Sequence, residues 1–149
     1  MESTVLHSSI FDSPAQVITN PVNTVGVMGA GLAKAFKLRF PTLDRTYRKM
    51  CATGKLQTGH PVLARNSNDG PDILLFPTKQ DWRNPSKYEY IELGCAYIRE
   101  HYSKWKITSI AFPALGCGLG GLNWNEVRKI IESELAGTHL HLYYHLPRK

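Results

Sequence analysis

Residues 17–31 read Val17-Ile18-Thr19-Asn20-Pro21-Val22-Asn23-Thr24-Val25-Gly26-Val27-Met28-Gly29-Ala30-Gly31, and residues 110–121 follow the same plan as Ile110-Ala111-Phe112-Pro113-Ala114-Leu115-Gly116-Cys117-Gly118-Leu119-Gly120-Gly121. Each passes from a strand-like apolar run through a glycine loop into residues with helical spacing. Missing side chains let main-chain N–H groups approach a phosphate, and the helix that follows adds a favourable dipole. Ligands of open α/β sheets bind beyond the carboxyl ends of strands, where both loops fall. One glycine loop is weak evidence, because glycine also serves turns. Two in matching positions point to a diphosphate site.

Outward from these units the chain alternates strand and helix signals. Val5–Ser9 and Val17–Thr19 read as strands around the turn Asp12-Ser13-Pro14. Leu32, Ala33, Ala35, Phe36 and Phe40 predict a helix that Pro41 ends. Thr42 is placed to N-cap a second helix bearing Leu43, Tyr47 and Met50, with Gly54 as its stop. Pro61–Ala64 and Ile73–Phe76 read as strands separated by the turn-rich stretch 66–71. Pro85 and Ser86 announce a helix from Lys87 to Tyr102, with Ile91, Cys95 and Ile98 along one face. Ile107–Phe112 enters the second glycine loop, Asn123 caps a helix through Leu135, and Leu140–Leu146 supplies a last strand. The alternation predicts an α/β fold, a three-layer sandwich with a mixed central sheet. No repeat, low-complexity tract or linker interrupts it, so residues 1–149 read as one domain.

Composition excludes other classes. The 149 residues are 42% apolar and 20% charged, too apolar for disorder and too few for two self-sufficient cores. The longest apolar stretch, around Ile73–Phe76, suits a buried strand, and no membrane span is expected. Met1–Pro14 lacks the basic and apolar segments of a secretion signal. Cys51, Cys95 and Cys117 are odd in number and widely spaced, which argues against a disulfide framework or zinc site and for a reducing cytoplasm. The six histidines show no metal-ligand spacing, so no metal is expected. The net charge is +6, and its placement is informative: between Lys34 and Lys55 seven basic residues face the single acid Asp44, and outside that window the charges cancel. A charge run is usually a solvated helix face. The sharper reading is a footprint for a polyanion or a diphosphate ligand.

Familiar nucleotide motifs fit badly. Gly26 and Gly31 have the spacing of a P-loop pair, but Leu32-Ala33 stands where its Lys-Ser/Thr would be. A dinucleotide-binding loop needs an acid closing the next strand, and the nearest, Asp44, lies among helical residues. Neither NTP hydrolysis nor hydride transfer is supported, and no cofactor is expected.

The run Asn20–Ala33 resembles the first ligand loop of macrodomains, the ADP-ribose-binding α/β/α modules. Phe76-Pro77-Thr78-Lys79-Gln80-Asp81-Trp82-Arg83 and the stretch from Pro113 to Trp124 narrow the resemblance to DarG-like DNA ADP-ribosyl glycohydrolases, antitoxins that remove ADP-ribose from thymidine. The resemblance covers nearly the whole chain. It implies a hydrolase whose catalytic residue is Lys79. It implies that Asn23 contacts the distal ribose, where a carboxamide both donates and accepts; as a bare sequence feature Asn23-Thr24 suits a turn. Gly29, Gly31, Gly116, Gly118 and Gly120 match the backbone cradle, and Ser9, Ile10, Val27, Met28, Leu32, Thr78, Cys117 and Leu119 complete the implied ADP-ribose site. Implied partners are ADP-ribosylated single-stranded DNA and a cognate DNA ADP-ribosyltransferase toxin, with the chain itself a monomer.

Lys79 alone would read as a solvated surface residue; the motif reverses that. Packing beside Trp82 would desolvate the amine and favour its neutral form, able to attack the anomeric carbon or assist ring opening. Where the family commonly has an acidic or amide residue for adenine, this chain has Ser9, so stacking on Phe11 is a candidate substitute. Gly120 stands where relatives that deacylate glutamate carry an aspartate. Cys117 has no histidine partner and reads as a small loop residue. Arg45, Arg48 and Lys49 would hold the DNA backbone, and Arg83 and Lys87 would extend that path. The alternatives are a non-catalytic ADP-ribose reader, which has no need of Lys79, and a hydrolase of small ADP-ribose derivatives, which has no need of a polyanion surface.

Overall fold

A computed structural model describes residues 1–66 and 70–147. Its six strands are β1 (Glu2–Leu6), β2 (Val17–Asn23), β3 (Val62–Ala64), β4 (Asp72–Lys79), β5 (Ser109–Phe112) and β6 (His141–His145). The helices are α1 (Gly31–Arg39), α2 (Pro41–Ala52), α3 (Tyr88–Trp105) and α4 (Trp124–Leu135). The strand order is β1-β6-β5-β2-β4-β3, and every pairing is parallel except β3 with β4. Five carboxyl ends therefore open on one edge of the sheet.

Side chains alternate across the sheet and divide the core in two. Val17, Leu74, Phe76, Ile110 and Phe112 pack with Ile91, Cys95 and Ile98 of α3 and Val127 and Ile131 of α4. Ile18, Val22, Ile73, Leu75 and Ala111 pack on the other face with Phe36 of α1 and Leu43 and Tyr47 of α2. Covered on both faces, the central strands read as continuous apolar runs. Helix α3 approaches closely where Gly94 meets Phe76, since a Cβ on Gly94 would stand 2.8 Å from the ring carbon Cε2.

The expected elements are present with shifted ends. The first strand is Glu2–Leu6 and stops short of Ser9, whose Oγ accepts from the Phe11 N–H and starts a 3₁₀ turn at Ile10–Asp12. Strand β2 runs to Asn23, through Pro21, because β5 pairs only with Val17 and Ile18. Pro77 likewise lies in β4 beyond the reach of β3. In both places the strand has one neighbour, and proline's missing donor is tolerated. Thr42 caps nothing: Pro41 opens α2 and Phe40 occupies the cap position without a side-chain bond. Gly54, at φ +74°, does follow the end of α2. Helix α3 runs past Tyr102 to Trp105 and ends on Lys106 in the left-handed conformation, a stop with no glycine to announce it. Asn123 caps α4 as expected, its Oδ1 accepting from the Glu126 N–H. Part of the turn expected at 66–71 lies outside the described residues.

Candidate functional site

The five carboxyl ends surround an open cleft of about 860 Å³. Ser9 and Ile10 enter it after β1, and Asn23, Val27, Gly29, Gly31 and Leu32 after β2. Thr78, Lys79 and Trp82 come from the end of β4, and Gly116, Gly118, Leu119 and Gly120 follow β5. His145, Leu146 and Pro147 close it after β6. Twelve of the sequence-predicted ADP-ribose contacts thus meet, together with Lys79, in one place.

Asn23 organises the first loop. Its Oδ1 accepts from the N–H groups of Val25 (3.2 Å), Gly26 (3.1 Å) and Val27 (3.2 Å), and its Nδ2 donates to the Val27 carbonyl at 2.8 Å. From α2, the buried Tyr47 hydroxyl lies 2.7 Å from both the Asn23 carbonyl and Oδ1. Burial pushes this phenol well above its ordinary range and keeps it a proton donor. The turn role of Asn23 is therefore realised in full, and these loop bonds leave its second Nδ2 hydrogen unused. The loop delivers the chain to α1, whose cap residue Ala30 has no side-chain bond to the first-turn N–H groups. Those groups provide a donor array for an anion.

The second loop is shaped by close packing. A Cβ on Gly120 would collide with the Gly116 carbonyl oxygen and Ser86 Oγ, whereas one on Gly118 meets nothing within 4 Å. The Ser86 N–H donates to the Gly120 carbonyl at 3.1 Å, fastening this loop to the segment before α3. Lys79 stands between the two loops, level with Asn23 in the β2–β4 register. Its Nζ donates to the Leu119 carbonyl at 3.4 Å, and among the described residues it joins no ion pair.

Several expectations are corrected. Lys79 is half-buried and shares the cleft with Trp82, whose half-exposed ring carries the Arg83 guanidinium 4.4 Å from its centre. Phe11 offers no face to the cleft; it packs against Phe36, ring centres 4.8 Å apart, with the Arg39 guanidinium at 4.9 Å. Met28 is buried, its sulfur 3.4 Å from Asn20 Nδ2. Cys117 leans on the α3–α4 core with its thiol toward the Leu115 carbonyl, and burial pushes the thiol up, away from nucleophilic use. Arg45, Arg48 and Lys49 line none of the cleft. Arg48 pairs with Asp44 at 3.1 Å, and its aliphatic stem lies behind Gly26. Lys87 rests 5.7 Å from the Tyr90 ring centre, while Arg83 reaches the rim beside Trp82 and pairs with Asp81 at 3.2 Å.

Ser86 and His145 line the cleft without having been singled out from sequence. His145 is buried; its Nδ1 lies 3.1 Å from the Ser8 carbonyl, so that nitrogen carries the proton, and its Nε2 has no partner among the described residues. Neither residue sits in a recognisable motif. A strand-end histidine and a serine before a helix acquire their place through the fold alone. Among the described residues, no three His, Cys, Asp or Glu side chains gather to hold a metal ion, and no helix is long and apolar enough to cross a membrane.

Paired glycine loops lie over the carboxyl ends of a mixed sheet in a three-layer α/β/α sandwich, and the Macro domain family model matches residues 19–131. The chain belongs to the macrodomain family. Within it, the chain is 39% identical to a DNA ADP-ribosyl glycohydrolase of Thermus aquaticus, over 87% of this chain and 37% of that protein. It is 37% identical to a DNA ADP-ribosyl transferase–DNA ADP-ribosyl glycohydrolase fusion protein of Thermosipho africanus, over 96% of this chain and 41% of that one. The solved structure of Thermosipho africanus DarTG in complex with ADP-ribose superposes with a TM-score of 0.93 at 36% identity, covering 98% of this chain and 42% of that chain. The chain spans about two fifths of the length of these relatives.

Proposed function

We propose that this macrodomain hydrolyses the bond between ADP-ribose and a DNA base, with thymidine in single strands as the substrate and Lys79 as the catalytic residue. The observation that carries this is a lysine amine in the cleft, held between the two glycine loops and joined to no carboxylate among the described residues. The N-terminus of α1 and the Gly116–Gly120 amides receive the diphosphate. The distal ribose then lies against Asn23 and Lys79, and the adenosine half extends toward Ser9, Ile10 and His145. Amides and the Asn23 carboxamide supply ground-state binding; Lys79 acts at the bond being broken.

As a neutral amine, Lys79 attacks the anomeric carbon of the distal ribose, or assists opening of its ring. The C–N bond to the base breaks as the new bond forms. The departing thymine keeps the electron pair as a delocalised anion and takes up a proton from water. Water then releases ADP-ribose and regenerates the amine. A bound substrate covers the amine and removes it further from water. The likeness to a transferase–glycohydrolase fusion supports a DNA ADP-ribosyltransferase as the enzyme whose product this one removes, in a cytoplasmic setting.

Incubation with ADP-ribosylated DNA, ADP-ribosylated protein and ADP-ribose-1″-phosphate side by side tests the reading. Release of ADP-ribose from the oligonucleotide is expected. Release from protein alone would overturn the substrate assignment, and binding without release from any of the three would make the chain a reader.

A further inference from the structure

We infer that the mouth of the cleft holds a collar for the base that carries the ADP-ribose, with Trp82 as its stacking surface. This rests on the DNA glycohydrolase reading and identifies the part of the protein that recognises the leaving group. Three large apolar side chains are exposed at the mouth although none supports the core: Val27 at 44%, Trp82 at 51% and Leu119 at 76%. They come from three separate loops, and those loops are tied together around Lys79. Thr24 donates through its N–H (3.1 Å) and its hydroxyl (2.9 Å) to the Gln80 carbonyl, which joins the first loop to the β4 end. Lys79 Nζ donates to the Leu119 carbonyl, and the Leu119 side chain lies over Gly31, bridging the two glycine loops.

Apolar groups kept in water around a reactive amine mark a recognition surface. The shape and charge select its occupant. A folded protein partner needs roughly 800 Å² of its own surface, far more than three side chains offer. A flat base flanked by phosphates needs an aromatic plane with cations beside it, and Arg83 stands 4.4 Å from the centre of the Trp82 ring, with Lys87 four residues on. Leu119 and Val27 then contact the edges of the same base while its glycosidic nitrogen faces Lys79. The basic helix α2, behind the first loop, contributes no wall to this collar.

The test compares Trp82→Ala and Trp82→Phe with the unaltered protein on an ADP-ribosylated thymidine oligonucleotide, alongside calorimetry with free ADP-ribose. Loss of one base–aromatic stack should raise the KM of Trp82→Ala for the oligonucleotide about tenfold, with a smaller change in kcat. The phenylalanine variant should recover most of it, and free ADP-ribose affinity should shift by less than about twofold in either variant. Because Trp82 is half-exposed, free ADP-ribose binding also reports that each variant is folded. An active unaltered protein with an indifferent Trp82→Ala, or an equal loss of free ADP-ribose affinity, overturns the collar alone. An unaltered protein that releases nothing from the oligonucleotide but cleaves an ADP-ribosylated peptide overturns both the collar and the DNA reading beneath it.

Discussion

Gly118 and Gly120 stand two residues apart in one loop, and substitution by alanine should move stability in opposite directions. At Gly120 a methyl group would collide with the Gly116 carbonyl oxygen and Ser86 Oγ, so the loop must shift away from α3. Overpacking of this kind costs about 1–3 kcal/mol, and at about 2–4 °C per kcal/mol for a domain of this size Tm should fall by about 2–12 °C. At Gly118 nothing lies within 4 Å, and the backbone is in a range open to any residue. Alanine there restricts the unfolded chain and should raise stability by about 0.4–1 kcal/mol, or Tm by about 1–4 °C. Both variants should bind ADP-ribose less well for different reasons: one loses the shape of the cradle, the other fills it. Gly118→Glu sharpens the second effect by adding a negative charge, and it should abolish binding while leaving the protein folded. Differential scanning fluorimetry and titration calorimetry on the three variants decide the matter. A lowered Tm for Gly118→Ala, or unchanged ADP-ribose affinity for Gly118→Glu, would place the ligand elsewhere and refute the reasoning.

Lys79→Ala should remove most turnover yet keep ADP-ribose affinity within about tenfold, about 1.4 kcal/mol, as measured by oligonucleotide release and calorimetry. Lys79→Arg should be nearly as inactive, because a guanidinium is not a neutral amine nucleophile; most activity retained would make the role electrostatic. Tyr47→Phe strips the hydroxyl from the Asn23 carbonyl and Oδ1, which should cost about 1–3 kcal/mol in denaturant unfolding and weaken ADP-ribose binding through a looser first loop. Charge reversal at Arg45, Arg48 and Lys49 should raise the KM for a long modified strand and reduce its log–log salt slope by about two, three contacts at about 0.7 each. It should spare free ADP-ribose, since none of the three lines the cleft; equal loss on both ligands would assign the basic helix to the fold.

The parts of this site that were legible in the sequence are those written locally. A glycine loop states its own conformational need, and Gly31 and Gly116 do adopt φ of +57° and +71°. Strand ends were harder: the expected strands stop at Thr19 and Phe76, whereas β2 and β4 continue through Pro21 and Pro77, each beyond the reach of one neighbour. Phe11 was misjudged for a similar reason: a one-turn 3₁₀ segment decides which way its ring faces, and it faces the aromatic group of α1. Neither Ser86, read only as a helix signal, nor His145 carried any local sign of a place in the cleft. Their positions depend on contacts with residues 34 places later, at Gly120, and 137 places earlier, at Ser8.

The charge window is the instructive intermediate case. From the sequence, seven basic residues between Lys34 and Lys55 supplied a footprint without a location. The fold sets α2 behind the first ligand loop, where the Arg48 stem supports Gly26 and Tyr47 grips Asn23. One helix face therefore shapes the first glycine loop while the other presents cations to solvent. A long-range electrostatic attraction suits that outer face, since it needs no contact with the reacting bond. Discrimination of the leaving group requires contact, and the proposed collar places that contact on the Lys79–Arg83 segment and the two glycine loops. If strand affinity and recognition of the modified base belong to these different surfaces, the α2 and Trp82 variants should fail in separable ways: the first through salt dependence, the second through KM at any ionic strength.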